Sequence, residues 1–297
     1  MKNIIKIFSM LIISSALFAE DIIKYSMDSN FYDSNYIEIS YDENDELFLG
    51  NPSKATFNLE HSENLLIRYN GFSMSYNSKL HIPNWVAWHL SSSDLGKGRY
   101  SGSFYSDDNL PYSILKVKHS DYSNSGFDRG HMCPSADRNS TIESSKTTFI
   151  TTNILPQSSA NNEIVWNNLE SVEQNLASSG YEVYIYAGGI GFGGENKNGE
   201  IVNSISKKEI AVPEYTWKII IAIEEGDNDL DRINENTKVI AVLVPNNLSC
   251  HKDAEAKGYN GKDDWKAYQV SIDYIEEITG YDFLSILEDS IENFLEK

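Results

Sequence analysis

The sequence predicts an α+β fold with a central antiparallel sheet flanked by helices. Three observations carry this prediction. Short β-branched and aromatic runs recur along the chain, a smaller number of stretches place apolar residues at helical spacing, and no internal repeat or interdomain linker interrupts them. One large mixed domain accounts for all three.

Residues 1–19 read as a signal peptide: Lys2 and Lys6 give a basic start, Ile7 to Leu17 is largely apolar, and Ala19 precedes Glu20. That apolar stretch is too short for a comfortable membrane span and no later one is longer, so export without stable membrane association is expected. Residues 20–62 are acidic and rich in Asn, Ser and Tyr, and read as an N-terminal extension. The main domain is expected over 63–297. Leu65-Leu-Ile-Arg-Tyr69 and Phe72-Ser-Met-Ser-Tyr76, split by Asn70-Gly71, predict a hairpin. Asn84-Trp-Val-Ala-Trp-His-Leu90 predicts a further strand, and 91–127 a long irregular stretch of the kind that often carries function. The β-branched run Thr147 to Leu155 predicts a strand ended by Pro156. Val165, Leu169 and Val172 form the stripe of a helix over Asn162 to Leu176, stopped at Ser179-Gly180. Three more strands are expected at 182–187, 216–223 and 238–244, with closing helices near 270–279 and 282–295.

Composition sets limits. The 18 Tyr and 12 Phe support a sizeable core, while the formal charge is −20, or −22 without Lys2 and Lys6. Most nucleic-acid binders are basic. Between Lys97 and Lys146, however, seven basic residues face six acidic ones, so this segment is near neutral within an acidic chain. A cleft there can hold one phosphate, with little long-range steering and with salt-sensitive capture. Two cysteines, Cys133 and Cys250, in an exported chain are expected to form a disulfide. Free buried thiols are the second reading. A zinc site with His131 and His251 is the third, and its ligand spacing is poor.

The chemistry concentrates in Asp128-Arg129-Gly130-His131 and in the asparagine-rich segment downstream of it. His131 shares four residues with a carboxylate and an arginine, and can take a proton from an attacking water. His61, His81, His89, His119 and His251 lack such company. Asn162, Trp166 and Glu170 lie on one helical stripe, with Trp166 toward the core. An amide oxygen suits Mg²⁺, which keeps several waters. Asn162 and Glu170 would stand roughly 12 Å apart on a regular helix, too far to share one ion directly. Glu170 would then hold a metal-coordinated water or pair with an arginine. Asn161 and Asn162 are also natural helix caps. Two other signals fail. Gly189-Ile-Gly191-Phe-Gly-Gly194 resembles a dinucleotide loop, but no helix can come after it, and a hairpin loop is expected. Asp227-Asn-Asp229-Leu-Asp231 begins like a calcium loop but carries Arg232 at the glycine position and Lys238 at the final glutamate, so it reads as an acidic turn.

Taken with Thr152-Asn-Ile-Leu-Pro-Gln157, Trp166-Asn-Asn-Leu-Glu170, Tyr215-Thr-Trp-Lys218 and Gly280-Tyr-Asp-Phe-Leu284, these blocks resemble the DNA/RNA non-specific endonuclease family, which includes endonuclease G. The resemblance runs from about Leu65 to Leu284. It implies a ββα-metal (His-Me finger) core, with His131 as general base and Asn162 as the direct Mg²⁺ ligand, Mn²⁺ being a substitute. Asn161 remains open as the ligand, because the family commonly reads Leu-Asn-Gln where this chain has Asn161-Asn162-Glu163. The resemblance also places Glu170 at a metal-coordinated water and Arg99 on the pentacovalent phosphate. Arg129, Asp128 and Asn153 support substrate or site geometry. It implies cleavage of DNA and RNA with little sequence preference and 5′-phosphate products. A catalytically silent nucleic-acid-binding protein on the same scaffold is the alternative, and a phosphodiesterase for other esters a third reading. A protein inhibitor and a homodimer are both compatible with the family and neither is readable from the residues.

Overall fold

Period-two alternation in the long strands decides the architecture, because it gives the sheet two apolar faces, both of which must be covered. The computed structural model describes residues 45–297; the expected signal peptide and most of the expected acidic extension lie outside the described residues. The strands are β1 (Leu65–Tyr69), β2 (Phe72–Asn77), β3 (Ile82–Leu90), β4 (Asp128–His131), β5 (Ile154–Gln157), β6 (Tyr181–Ile190), β7 (Tyr215–Glu224) and β8 (Lys238–Pro245). The main helices are α1 (Ile142–Thr147), α2 (Asn167–Ser178), α3 (Cys250–Ala256), α4 (Ile272–Thr279) and α5 (Asp289–Leu295). Six strands form one antiparallel sheet in the order β1-β2-β3-β6-β7-β8, and β4 and β5 form a separate ribbon. Among the described residues no helix is long and apolar enough to cross a membrane.

On one face Val86, Trp88, Val183, Ile185 and Ile220 pack with Val165, Trp166 and Leu169. On the other, Trp85, Tyr184, Tyr186, Trp217, Ile219 and Ile221 pack with Ile272, Ile275, Phe283 and Leu295. The ββα unit thus lies on the first face and the C-terminal helices on the second.

Several expectations hold closely. The first hairpin closes with Tyr69 opposite Phe72, and Gly71 supplies the turn with φ +93°. The three later strands form where expected, and Gly180 ends α2 at φ +85°. Gly194–Glu195 pairs with Ile201–Val202 in a small hairpin, and Asp229–Arg232 is one helical turn whose arginine bonds the Gly226 and Asp227 carbonyls.

Others are corrected. Within the stretch read as an N-terminal extension, Leu47, Phe48, Leu49 and Ala55 are buried against the second face. Thr147 to Asn153 is not strand. The Thr148 hydroxyl donates to the Ser145 carbonyl, a local bond that competes with a ladder, and the Thr151 hydroxyl donates to the distant Val117 carbonyl. The strand instead runs through Pro156 to Gln157, which a two-stranded ribbon tolerates because its outer side needs no N–H. The last helix is only Asp289–Leu295, because Phe283 and Leu284 are drawn into the core, with Leu284 at φ +54°. Cys133 and Cys250 are free and buried, so the expected disulfide is not formed. Both are packed in the apolar core of the first face, which disfavours their thiolates; burial pushes Cys250 up to about 12 and Cys133 well above the usual thiol range. Nor do His131, Cys133, Cys250 and His251 gather as a metal cluster among the described residues.

Candidate active site

The site begins with a ribbon that needs a glycine. In β4, Gly130 lies opposite Leu155, and a Cβ there would come within 1.5 Å of Gln157 Oε1. With no side chain at 130, Gln157 folds across β4 and donates from Nε2 to Asn161 Oδ1 at 2.8 Å. Asn161 is fully buried and spends its own Nδ2 on Thr216 Oγ1 at 2.9 Å and the Pro245 carbonyl at 3.1 Å. Asn161 is thus a joint between the ribbon, β7 and the end of β8.

Asn162 stands differently. It is half-buried, and its Nδ2 donates to Asp128 Oδ2 at 3.1 Å, so its amide oxygen is not committed to β4. Neither asparagine caps a regular first turn. Residues Asn161–Trp166 form a π-helical turn that runs into α2. A π turn changes the angular register of the residues beyond it, and such turns recur at functional sites. The regular-helix spacing assumed for Asn162 and Glu170 therefore does not apply across it.

His131 closes β4 opposite Ile154. Its ring packs against Phe104 at 5.0 Å and edge-on to Phe149 at 4.9 Å. Nε2 is shielded and has no hydrogen-bond partner. Burial pushes the imidazole down to about 4, so the ring is neutral at pH 7 and holds a lone pair for a proton. Phe149 has no mark in the sequence as part of this wall. It sits inside the β-branched run 147–155, which reads as a strand and is not one.

Glu170 is pushed up to about 7 by burial; Lys218 opposes that and Asp137 adds to it. The cation that acts on it is therefore Lys218 and not an arginine. Lys218 is fully buried, bonds Glu173 Oε1 at 2.7 Å and lies 4.4 Å from the Trp166 ring centroid. Its placement in an apolar strand, Thr216 to Ile223, was the available signal for a buried charge. Asp137 is also buried and accepts from Trp88 Nε1 at 3.0 Å and Gln174 Nε2 at 3.0 Å.

The remaining site residues take up separate tasks. Arg129 donates to the His119 carbonyl at 3.0 Å and lies over Tyr122, tying the irregular 91–127 segment to β4. Asn153 is buried, accepts from the Cys133 N–H at 3.0 Å and donates to the Cys133 and Thr148 carbonyls, fixing the backbone just beyond His131. Arg99 is exposed, next to Tyr100, whose ring packs edge-on to Phe149 at 4.9 Å. The structure thus brings His131, Asp128 and Asn162 onto one ββα unit and links Arg99 to it through Tyr100 and Phe149.

The sequence model of the DNA/RNA non-specific endonuclease family matches residues 50–290. The chain belongs to that family. A nuclease of Nostoc sp. (strain PCC 7120 / SAG 25.82 / UTEX 2576) is 40% identical over 250 residues, covering 84% of each chain. The mitochondrial nuclease EXOG of Danio rerio is 31% identical over 183 residues, which are 60% of this chain and 51% of that one. A chain in the crystal structure of the EndoG/EndoGI complex aligns at a TM-score of 0.64 and 21% identity, covering 83% of this chain and 92% of its own, and shares the fold. As a member of this family, the protein is an endonuclease, a hydrolase of nucleic acid.

Proposed function

We propose that this endonuclease is exported, cuts DNA and RNA with little sequence preference, and uses His131 as general base with one Mg²⁺ held by Asn162. The observation that carries the reading is the neutral His131 ring with its unpartnered Nε2, on the same four-residue strand whose Asp128 orients the Asn162 amide. The donor set fits the ion. An amide oxygen beside a carboxylate offers few, hard oxygen ligands, and Mg²⁺ takes one or two protein ligands and keeps its waters. Asn161 is the weaker candidate, because its oxygen already accepts from Gln157 and its nitrogen is spent on β7 and β8. Mn²⁺ has similar oxygen preference and is expected to substitute.

The residues then divide the reaction. His131 takes a proton from water as its oxygen attacks phosphorus, and the bond to the 3′ oxygen breaks. The 3′ oxygen leaves as a hydroxyl after taking a proton, and the 5′ side keeps the phosphate. A bound divalent cation supplies positive charge for the oxygens that become more negative. Arg99, exposed at the rim, adds a guanidinium to the same phosphate. Arg129 and Asn153 hold the backbone around β4, and Glu170, pushed up to about 7 by burial, is within reach of the Lys218 charge. Only backbone atoms are gripped, which gives little sequence preference.

Cleavage of plasmid DNA and of RNA by the chain from Glu20 tests this. Wild type, His131→Ala and Asn162→Ala are compared with Mg²⁺, with Mn²⁺ and with EDTA. Loss of cleavage in EDTA and in His131→Ala, with strong impairment in Asn162→Ala, is expected. Full activity in His131→Ala would overturn the assignment of the base. Mass spectrometry of the secreted protein tests export, with an N terminus at Glu20 expected.

A further inference from the structure

The last two helices carry a group of carboxylates that hydrolysis does not use. Asp273 and Glu276 on α4 and Glu296 just after α5 each bring a carboxylate oxygen within 4.8 Å of the others. The three differ in setting. Asp273 is exposed, Glu276 half-buried, and Glu296 only 7% exposed. Glu296 Oε1 is shielded from solvent and has no hydrogen-bond partner. The charges acting on Glu296 are all negative, from Glu276, Glu292, Asp273 and Asp282. A buried acceptor with no donor is costly unless a proton or a cation meets it.

The scaffold holds these groups together. Ser271 caps α4 by accepting from the Tyr274 N–H at 3.1 Å, and the Asp273 N–H donates to the Glu296 carbonyl at 3.0 Å. Ile272, Ile275 and Leu295 are buried in the core of the second face, opposite the ββα unit. Glu276 is fixed because its Oε1 accepts from the Phe283 N–H at 2.6 Å. The carboxylates therefore converge because their helices are locked in place by packing, and their repulsion is borne by the fold.

We propose that Asp273, Glu276 and Glu296 form a divalent-cation site of the calcium type, separate from the catalytic centre, that clamps α5 onto α4. Carboxylates alone, with no imidazole or thiolate, suit a hard cation. Three converging carboxylates exceed the one or two that Mg²⁺ usually takes, and match the larger, flexible shell of Ca²⁺. The exposed Asp273 side leaves room for water to complete that shell.

The test uses the chain from Glu20, stripped with EDTA and then titrated with CaCl₂, read by thermal unfolding and by calorimetry. Wild type is expected to bind Ca²⁺ with a saturable rise in Tm. Asn162→Ala should keep that rise, since its amide is on the other face. Glu296→Gln should bind on the order of tenfold more weakly or not at all, because affinity follows ligand charge. Its Tm in EDTA should equal or exceed wild type, which shows that it folds. Asp273→Asn, an exposed change, is the second variant and should also weaken binding. An unchanged wild-type Tm across the titration would overturn the proposal. So would a response that survives both carboxylate variants, or one that disappears in Asn162→Ala.

Discussion

Two neighbouring asparagines illustrate how much a single residue's surroundings decide. Asn161 spends its amide on Gln157, Thr216 and the Pro245 carbonyl, whereas Asn162 touches Asp128. Asn161→Ala would strand buried polar groups on two strands and should cost about 1–3 kcal/mol in urea unfolding. Asn162→Ala removes a half-buried side chain and should stay within about 0.5 kcal/mol of wild type while cleavage collapses. The reverse pattern, with Asn162→Ala unfolding and Asn161→Ala inactive but stable, would make Asn161 the ligand. Gly130 is a second case at this scale. A Cβ at this position would run into the Gln157 side chain. Gly130→Ala should lower stability by about 1–3 kcal/mol through overpacking. Adding Gln157→Ala should return part of that loss, because the clash is with that side chain. If the double variant is as unstable as the sum of the singles, the contact is not the cause.

At the level of elements, period-two strands and the β4 motif were legible because their signals are local. The hairpin at Asn70-Gly71, the three later strands and the helix stripe of Val165, Leu169 and Val172 needed only near neighbours. The elements that escaped the sequence depend on distant partners. Thr151 bonds the Val117 carbonyl, 34 residues away, and no local pattern shows that a β-branched run will leave the strand for it. The π turn at Asn161–Trp166 is set by the Gln157, Thr216 and Pro245 contacts to Asn161, which join three elements. Residues 47–55 read as extension because acidic neighbours mask a short apolar patch that fills the second face. The tie between β7 and α2 is likewise tertiary. Lys218 and Glu173 form a fully buried pair at 2.7 Å under Trp166 and Trp88. Lys218→Met would leave Glu173 buried without its cation and should cost about 3–5 kcal/mol. Lys218→Met with Glu173→Leu should recover most of that loss in the same denaturant assay. No recovery would mean that Lys218 acts mainly through the tryptophan rings.

For the whole molecule, a formal charge of −20 acts through buried carboxyls as well as through the surface. Asp107, Asp137, Glu170, Glu173, Glu182, Glu276, Glu292 and Glu296 are all pushed above the usual range, first by burial. Glu170 and Glu182 reach about 7 and Glu296 about 8. A raised folded pKa means that the folded chain holds more protons than the unfolded one, so stability falls as pH rises through that range. His81, His89, His119 and His131 are lowered, His131 to about 4, and act oppositely. Their stabilisation is present above the ordinary histidine value of about 6.5 and is lost as pH falls toward the folded value. From about pH 7.5 the unfolded histidines are already neutral, while the raised carboxyls and the buried Cys133 and Cys250 thiols keep protons that the unfolded chain releases, so thermal stability in EDTA should drop as pH rises from about 7.5 to 8.5. EDTA matters because a cation at Glu296 would displace the proton. Glu182→Gln removes a half-buried carboxyl that feels the Asp229 charge and should gain Tm relative to wild type at pH 8.5 and less at pH 5. A wild-type Tm that climbs between pH 7.5 and 8.5 would show that the buried carboxyls ionise without cost, the opposite of what their burial and mutual repulsion require.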